Sequence, residues 1–282
     1  MMKRLCMLLL LIGILPVSAQ DTPPIGWWDD CSTPQNLPQT VDLGAVLALS
    51  GGASVYGNSQ QMGIQLAVDE MNDLGYFGDA VTLTITYGDS ASDPGQASAV
   101  MAEFVDGDMI VGVLGPTLSS EAFQADPIAQ AQGLVVLGIS NTAPGITDMG
   151  DYIFRNSLPE SVVIPGVLDQ VLDYYDIETA VLLYDGEDDF TLQGAWIFRD
   201  ALLERDIEIA QEYVFSTANR EFMDSIGYLI SREPDAVIVS TLAEQAILAI
   251  NAIREAGFTG PIIGGNGFNS PAILIQTDTS SD

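Results

Sequence analysis

Ile110-Val111-Gly112-Val113-Leu114-Gly115-Pro116-Thr117-Leu118-Ser119-Ser120-Glu121 is the stretch that decides the fold. The run from Ile110 to Leu114, closed by Gly-Pro, suits a strand buried on both faces. The polar loop then meets Ser-Ser-Glu, small hydroxyls and an acid, as at the start of a helix. Strand, polar loop and helix form the repeating unit of a parallel sheet. Working outward, apolar runs at 41–49, 81–87, 134–137, 180–184, 236–240 and 261–263 read as further strands. The segment 208–215 follows the same rhythm with weaker alternation. Between the runs, single helix faces carry Ile64, Ala67, Val68 and Met71, then Ala97, Val100, Met101, Phe104 and Val105. Later stripes are Val163, Val167, Val171 and Leu172, followed by Ile247, Ile250 and Ile253. The pattern predicts an α/β protein of two similar lobes, 41–155 and 156–265, each with a parallel sheet flanked by helices. Phe154-Arg155-Asn156-Ser157-Leu158-Pro159 would be the first crossing between them.

Residues 1–19 read as a secretory signal: Lys3 and Arg4, an apolar run from Leu5 to Leu15, then Pro16 and the small Val17-Ser18-Ala19. That run is short for a bilayer span. Residues 20–40, with four prolines and no apolar period, read as an extended leader in which Trp27 and Trp28 pack on the body. Past the signal only six basic residues face all 39 acidic ones, a net charge of 6 − 39 = −33. Such a surface repels nucleic acid and anionic membrane and keeps a secreted chain soluble. Cys31 is then the only cysteine, so an internal disulfide is excluded in an oxidising compartment. The expected location is periplasmic or extracellular.

The chain has no histidine, which removes Ser–His–Asp triads, Cys–His pairs and the usual zinc or iron ligands. It has no Walker-type loop and no GxGxxG, and Gly264-Gly265-Asn266-Gly267 reads as a turn. Paired carboxylates such as those among Asp185, Glu187, Asp188 and Asp189 are compatible with glycoside hydrolysis, but in so acidic a chain they suit a solvated face. No metal and no cofactor is expected, and an enzyme is disfavoured. Ligands of open α/β sheets bind beyond the carboxyl ends of strands, which directs attention to 50–57, 115–120, 139–144, 185–190, 241–244 and 264–269. In 115–120 the Ser119 and Ser120 hydroxyls and the helix N–H groups suit a ligand carboxylate, or one serine caps the helix. The loop Ile139-Ser140-Asn141-Thr142-Ala143-Pro144 offers backbone groups and a hydroxyl, or is an ordinary turn.

From residue 41 to about 274 the chain resembles the Leu/Ile/Val-binding proteins of branched-chain amino-acid ABC importers, type I periplasmic solute-binding proteins. The resemblance rests on an ordered set: Ser50-Gly51, Tyr56-Gly57, Gly63 and Ala67-Val68-Asp69-Glu70-Met71-Asn72; Gly115 with Ser119-Ser120; Ser140-Asn141-Thr142-Ala143-Pro144; Phe154-Arg155-Asn156-Ser157; and Gly264-Gly265-Asn266-Gly267. It implies two Rossmann-like lobes with a C-terminal part missing here. It also implies that Ser119 binds the ligand carboxylate by its hydroxyl and Ser140 by its main chain, within the Ser140-Asn141-Thr142 loop. Thr142 would touch both carboxylate and amino group. Tyr56 would line the pocket from the first lobe, and Phe190 and Leu242 from the second.

Two departures from the family stand out. Asn266 stands where amino-acid binders often carry an acid that holds the ammonium, so an amide, a carboxylate lacking the amine, and an amino acid held by Glu160 or Glu244 all stay open. The family also continues well past this point and crosses back to the first lobe, so the resemblance implies that 266–282 is the start of a return crossing that breaks off. The expected function is capture of an amino acid or related small amide or carboxylate by a monomer that closes on it and delivers it to a membrane permease. The rivals are the ligand-sensing domain of a receptor or regulator and, behind it, a carboxylate-based hydrolase.

Overall fold

The computed structural model describes residues 37–277 except 79, 108 and 217–221. The expected signal, Trp27, Trp28, Cys31 and the tail from 278 lie outside the described residues. The first sheet forms from β1 (Thr40–Leu47), β2 (Thr82–Asp89), β3 (Ile110–Leu114), β4 (Val135–Gly138) and β5 (Ile153–Arg155). Its order is β2-β1-β3-β4-β5 and every pairing is parallel. The helices α1 (Ser54–Asp73), α2 (Pro94–Asp106) and α3 (Ser119–Gln132) connect its strands. After α4 (Glu160–Leu172) the second sheet forms from β6 (Thr179–Asp185), β7 (Glu208–Phe215), β8 (Ala236–Ser240) and β9 (Ile262–Gly264), parallel in the order β7-β6-β8-β9. Its helices are α5 (Asp189–Leu203), α6 (Phe222–Ile230) and α7 (Ala243–Glu255). A 3-10 turn at Asn266–Phe268 and α8 (Pro271–Gln276) follow.

Packing follows the strand pattern. Val46, Val113 and Val136 meet α2 and α3 through Ala97, Met101, Ala122, Ala125 and Ala129, whose short side chains let the helices sit close to the sheet. The second sheet is covered twice, by α4 and α5 over Leu182, Tyr184 and Ile238, and by α6 and α7 over Val181, Leu183 and Val239. The first sheet departs from this. Among the described residues its other face carries α1, which lies against β1 and β2. Val111 is 58% and Val135 41% exposed, and of the expected stripe on α1 only Val68 is buried. A helix stripe becomes core only where something covers it. The expected crossing at 154–159 starts inside β5, because Ile153–Arg155 pair with Val136–Gly138.

In each sheet the strand order reverses beside its first-formed strand: β2 and β3 flank β1, and β7 and β8 flank β6. Those reversals leave crevices at the carboxyl ends of β1 and β3 and of β6 and β8, where a doubly wound sheet holds ligands. The structure brings the two crevices together.

Candidate functional site

Between them lies a small cavity of about 30 Å³. Tyr56, Thr117, Leu118, Ser119 and Ser140 line it from the first lobe, and Phe190, Leu242, Asn266 and Gly267 from the second. A side chamber of about 360 Å³ adjoins it, sharing Tyr56, Ser140 and Asn266. The inner cavity has room for little more than a water molecule, so an amino acid enters it only if the lobes part.

Tyr56 sits in the first turn of α1, where Gly57 is needed: a Cβ there would lie 2.0 Å from the Ala48 carbonyl oxygen. That close approach aims the Tyr56 phenol across the cleft. Its hydroxyl donates to the Gly267 carbonyl at 2.5 Å and accepts from the Ala243 N–H at 2.7 Å. Burial pushes the phenol well above its ordinary pKa, so it stays a donor. One turn on, Gln60 organises the polar wall. Thr117 Oγ1 accepts from the Ala48 N–H and donates to Gln60 Oε1, and Gln60 Nε2 donates to Ser140 Oγ, which donates to the Thr117 carbonyl.

Ser119 opens α3 but does not cap it. The N-cap residue is Leu118, whose N–H is met by Glu121 Oε2 at 2.9 Å. Ser119 Oγ instead accepts from the Thr142 and Ala143 N–H groups at 3.2 and 3.3 Å. Its lone pairs are thus engaged by the neighbouring loop. The helix-cap reading is therefore set aside by geometry. Arg155 holds the same loop through the Ala143 carbonyl at 2.8 Å.

Of the eight residues expected to bind ligand, six line the cavity: Tyr56, Ser119, Ser140, Phe190, Leu242 and Asn266. Asn141 and Thr142 stand behind the wall, each 1% exposed. Asn141 donates to the Pro116 carbonyl and accepts from Ser157 Oγ at its own, tying the loop to the crossing. Thr142 is joined through its carbonyl to the Glu160 N–H, and its buried hydroxyl faces the Glu160 carboxyl, whose pKa rise it offsets in part. Sequence reasoning missed Thr117, Leu118, Gly267 and the supporting Gln60. Thr117 and Leu118 lie in the loop already singled out, and Gln60 is one helical turn from Tyr56 on the same face.

The electrostatics are one-sided. Glu121, Glu160 and Asp188 stand behind the lining, against Leu118, Asn266 and Tyr56. Burial raises all three carboxyls, that of Glu121 to about 6, where Asp188 across the cleft adds to the rise. Ser120 reaches Asp188 from the other lobe and offsets part of its own rise. No described arginine lines the cavity: Arg199 and Arg205 pair with Glu212 and Asp169, and Arg232 and Arg254 bond locally. A bare anion here would have three acids behind the wall and no cation in it. A zwitterion would bring its own.

The periplasmic binding protein family model matches residues 40–279. The chain is 25% identical over 243 residues to the leucine-, isoleucine-, valine-, threonine- and alanine-binding protein of Pseudomonas aeruginosa, covering 86% of this chain and 64% of that one. It is 32% identical over 244 residues to the Leu/Ile/Val-binding protein BraC3 of Rhizobium johnstonii, covering 85% and 65%. The chain thus spans a little under two thirds of the length of these curated relatives. The solved structure of LivJ, the branched-chain amino acid transporter substrate-binding protein of Streptococcus pneumoniae in complex with isoleucine, superposes with a TM-score of 0.77 at 27% identity, covering 84% of this chain and 67% of that one. The chain belongs to the periplasmic binding protein family, and the curated relatives it matches there are named as binders of leucine, isoleucine and valine.

Proposed function

We propose that this chain captures a small aliphatic amino acid between its lobes and delivers it to the membrane permease of an ABC importer, after export by the signal segment at 1–19. The observation that carries the reading is the cavity itself: neutral donors and apolar walls at facing switch points, with no base in the lining and Glu121, Glu160 and Asp188 behind it. Ser119 and the first N–H groups of α3 offer hydrogen bonds to a carboxylate, Leu118, Phe190 and Leu242 offer apolar contact, and the acids favour a ligand that carries an ammonium. The relatives' named ligands agree with this division. Because the cavity holds only about 30 Å³, binding proceeds by opening, docking and reclosing about the crossing segments.

A thermal melt of the folded chain across aliphatic amino acids, their amides and their deaminated acids tests the reading. A ligand present at a hundredfold over its Kd stabilises the native state by about 2.7 kcal/mol, so amino acids should raise the melt and deaminated acids should not. A flat response across the panel, or turnover of any member, contradicts it.

A further inference from the structure

Behind the lining, two carboxyls from opposite lobes stand close enough to interact. Glu121 lies in the first turn of α3, in the first lobe, and is 0% exposed. Its Oε2 accepts from the Leu118 N–H at 2.9 Å, and the buried Ser90, from the loop after β2, hydrogen-bonds the same carboxyl. Asp188 caps α5 in the second lobe, where it accepts from the Thr191 N–H at 3.1 Å. Ser120, next to Glu121 in the chain, reaches across to hydrogen-bond Asp188, and the Asp188 charge acts on Glu121. The titratable groups around the pair are Asp189 beside Asp188, the Tyr56 phenol from α1, and Asp185 and Glu187 in the loop before α5. Asp126 lies further along α3, and Glu244 opens α7. Among the described residues no base joins them. Arg155 bonds the Ala143 carbonyl, Arg199 and Arg205 pair with Glu212 and Asp169, and Arg232 and Arg254 bond locally.

We propose that Glu121 and Asp188 form a proton-operated latch across the cleft: closing of the lobes takes a proton from solvent onto the pair, and its loss toward neutral pH favours the open form. The inference goes beyond the amino-acid reading and needs only that the lobes part. In the open form each carboxyl keeps the donors of its own lobe and meets water, so both ionise readily. In the closed form the two share a water-poor seam with no cation, and one of them is held more easily as the neutral acid. Burial lifts both carboxyls, that of Glu121 from an ordinary 4.5 to about 6, and the Asp188 charge adds to that rise. A carboxyl raised on closing supports the closed form fully below its open-state value and loses that contribution as pH rises through its closed-state value. For Glu121 the window therefore ends near pH 6. Each pH unit between the two values changes the closed-to-open ratio about tenfold.

The test is small-angle scattering of the unliganded protein, coupled to size exclusion, at about pH 5 and about pH 7.5 and constant ionic strength. It compares wild type, Glu121→Gln and Asp188→Asn. Glutamine still accepts from the Leu118 N–H, and asparagine is itself a good N-cap, so each variant keeps its local bond. Wild type should show a larger radius of gyration at the higher pH, with circular dichroism unchanged. Glu121→Gln should keep the compact radius at both, and Asp188→Asn should show a smaller rise than wild type. The same comparison in the Tyr56→Phe background, where fewer bonds join the lobes, reveals the effect if wild type is almost wholly closed. A pH-independent radius in both wild type and Tyr56→Phe overturns the latch. An equal rise in all the proteins also overturns it, since that reports repulsion of the whole acidic surface. Should Glu121→Gln not fold, the rise in Asp188→Asn decides. No ligand is present, so a failed titration with L-leucine counts against the amino-acid reading and leaves this result standing.

Discussion

Tyr56→Phe should part the lobes of the unliganded protein. The phenol hydroxyl satisfies two groups of the second lobe, the Gly267 carbonyl and the Ala243 N–H. In the closed arrangement both are shielded, whereas in an open one water reaches them. Removing the hydroxyl leaves a donor and an acceptor unpaired only in the closed form, at about 1–3 kcal/mol each. Even about 2 kcal/mol in total moves the closed-to-open equilibrium by roughly thirtyfold. Small-angle scattering should show a larger radius of gyration for the variant, with secondary structure unchanged by circular dichroism. An unchanged radius would mean that other contacts hold the lobes and that Tyr56 is only a wall of the cavity.

Asp126→Asn should stabilise the protein at neutral and mildly alkaline pH. Asp126 lies in α3 beside Ala122, Ala125 and Ala129, is 0% exposed, and has neither carboxylate oxygen hydrogen-bonded among the described residues. Burial pushes its carboxyl from an ordinary 3.8 to about 8. The folded chain therefore holds this proton up to about pH 8, and the unfolded chain releases it near pH 4. The group's stabilising contribution is complete below about pH 4 and is lost as pH rises to about 8. At about 1.4 kcal/mol per pH unit, the loss is on the order of 5 kcal/mol. Asparagine has no proton to lose, so the variant should match wild type near pH 4 and exceed it by a few kcal/mol at pH 8 in urea unfolding. Glu121, raised to about 6, declines with wild-type slope in both proteins over pH 4–6. Equal destabilisation of the variant at every pH would show that Asp126 is held as a paired anion.

Much of this architecture is legible in the sequence because its strands are buried on both faces. All five residues of β8, Ala-Val-Ile-Val-Ser, are buried, and a run of that kind admits few other readings. The three-residue β5 escaped because Ile153–Arg155 is too short to carry a period and ends beside the polar crossing. The stripe on α1 was overread, since periodicity reports which face is apolar and not whether a neighbour covers it. At the site, the loops after β1, β3, β4, β6 and β8 follow from topology, and the resemblance supplied Tyr56, Ser119, Ser140, Phe190, Leu242 and Asn266. What sequence did not disclose are bonds across the lobes. Tyr56 meets Ala243 and Gly267 over separations of 187 and 211 residues, and Asn266 meets Glu160 over 106. No local pattern encodes such contacts. They also separate Ser119, which faces the cavity, from Asn141 and Thr142, which stand behind it, although all three sit in loops of the same kind.

Titration calorimetry of the folded chain with L-leucine measures directly whether the cleft binds an amino acid. A saturable heat with one ligand per chain is expected, with a negative heat-capacity change from the apolar surface buried on closure. A chain that melts cooperatively yet shows no saturable heat with L-leucine at any temperature tried would contradict it.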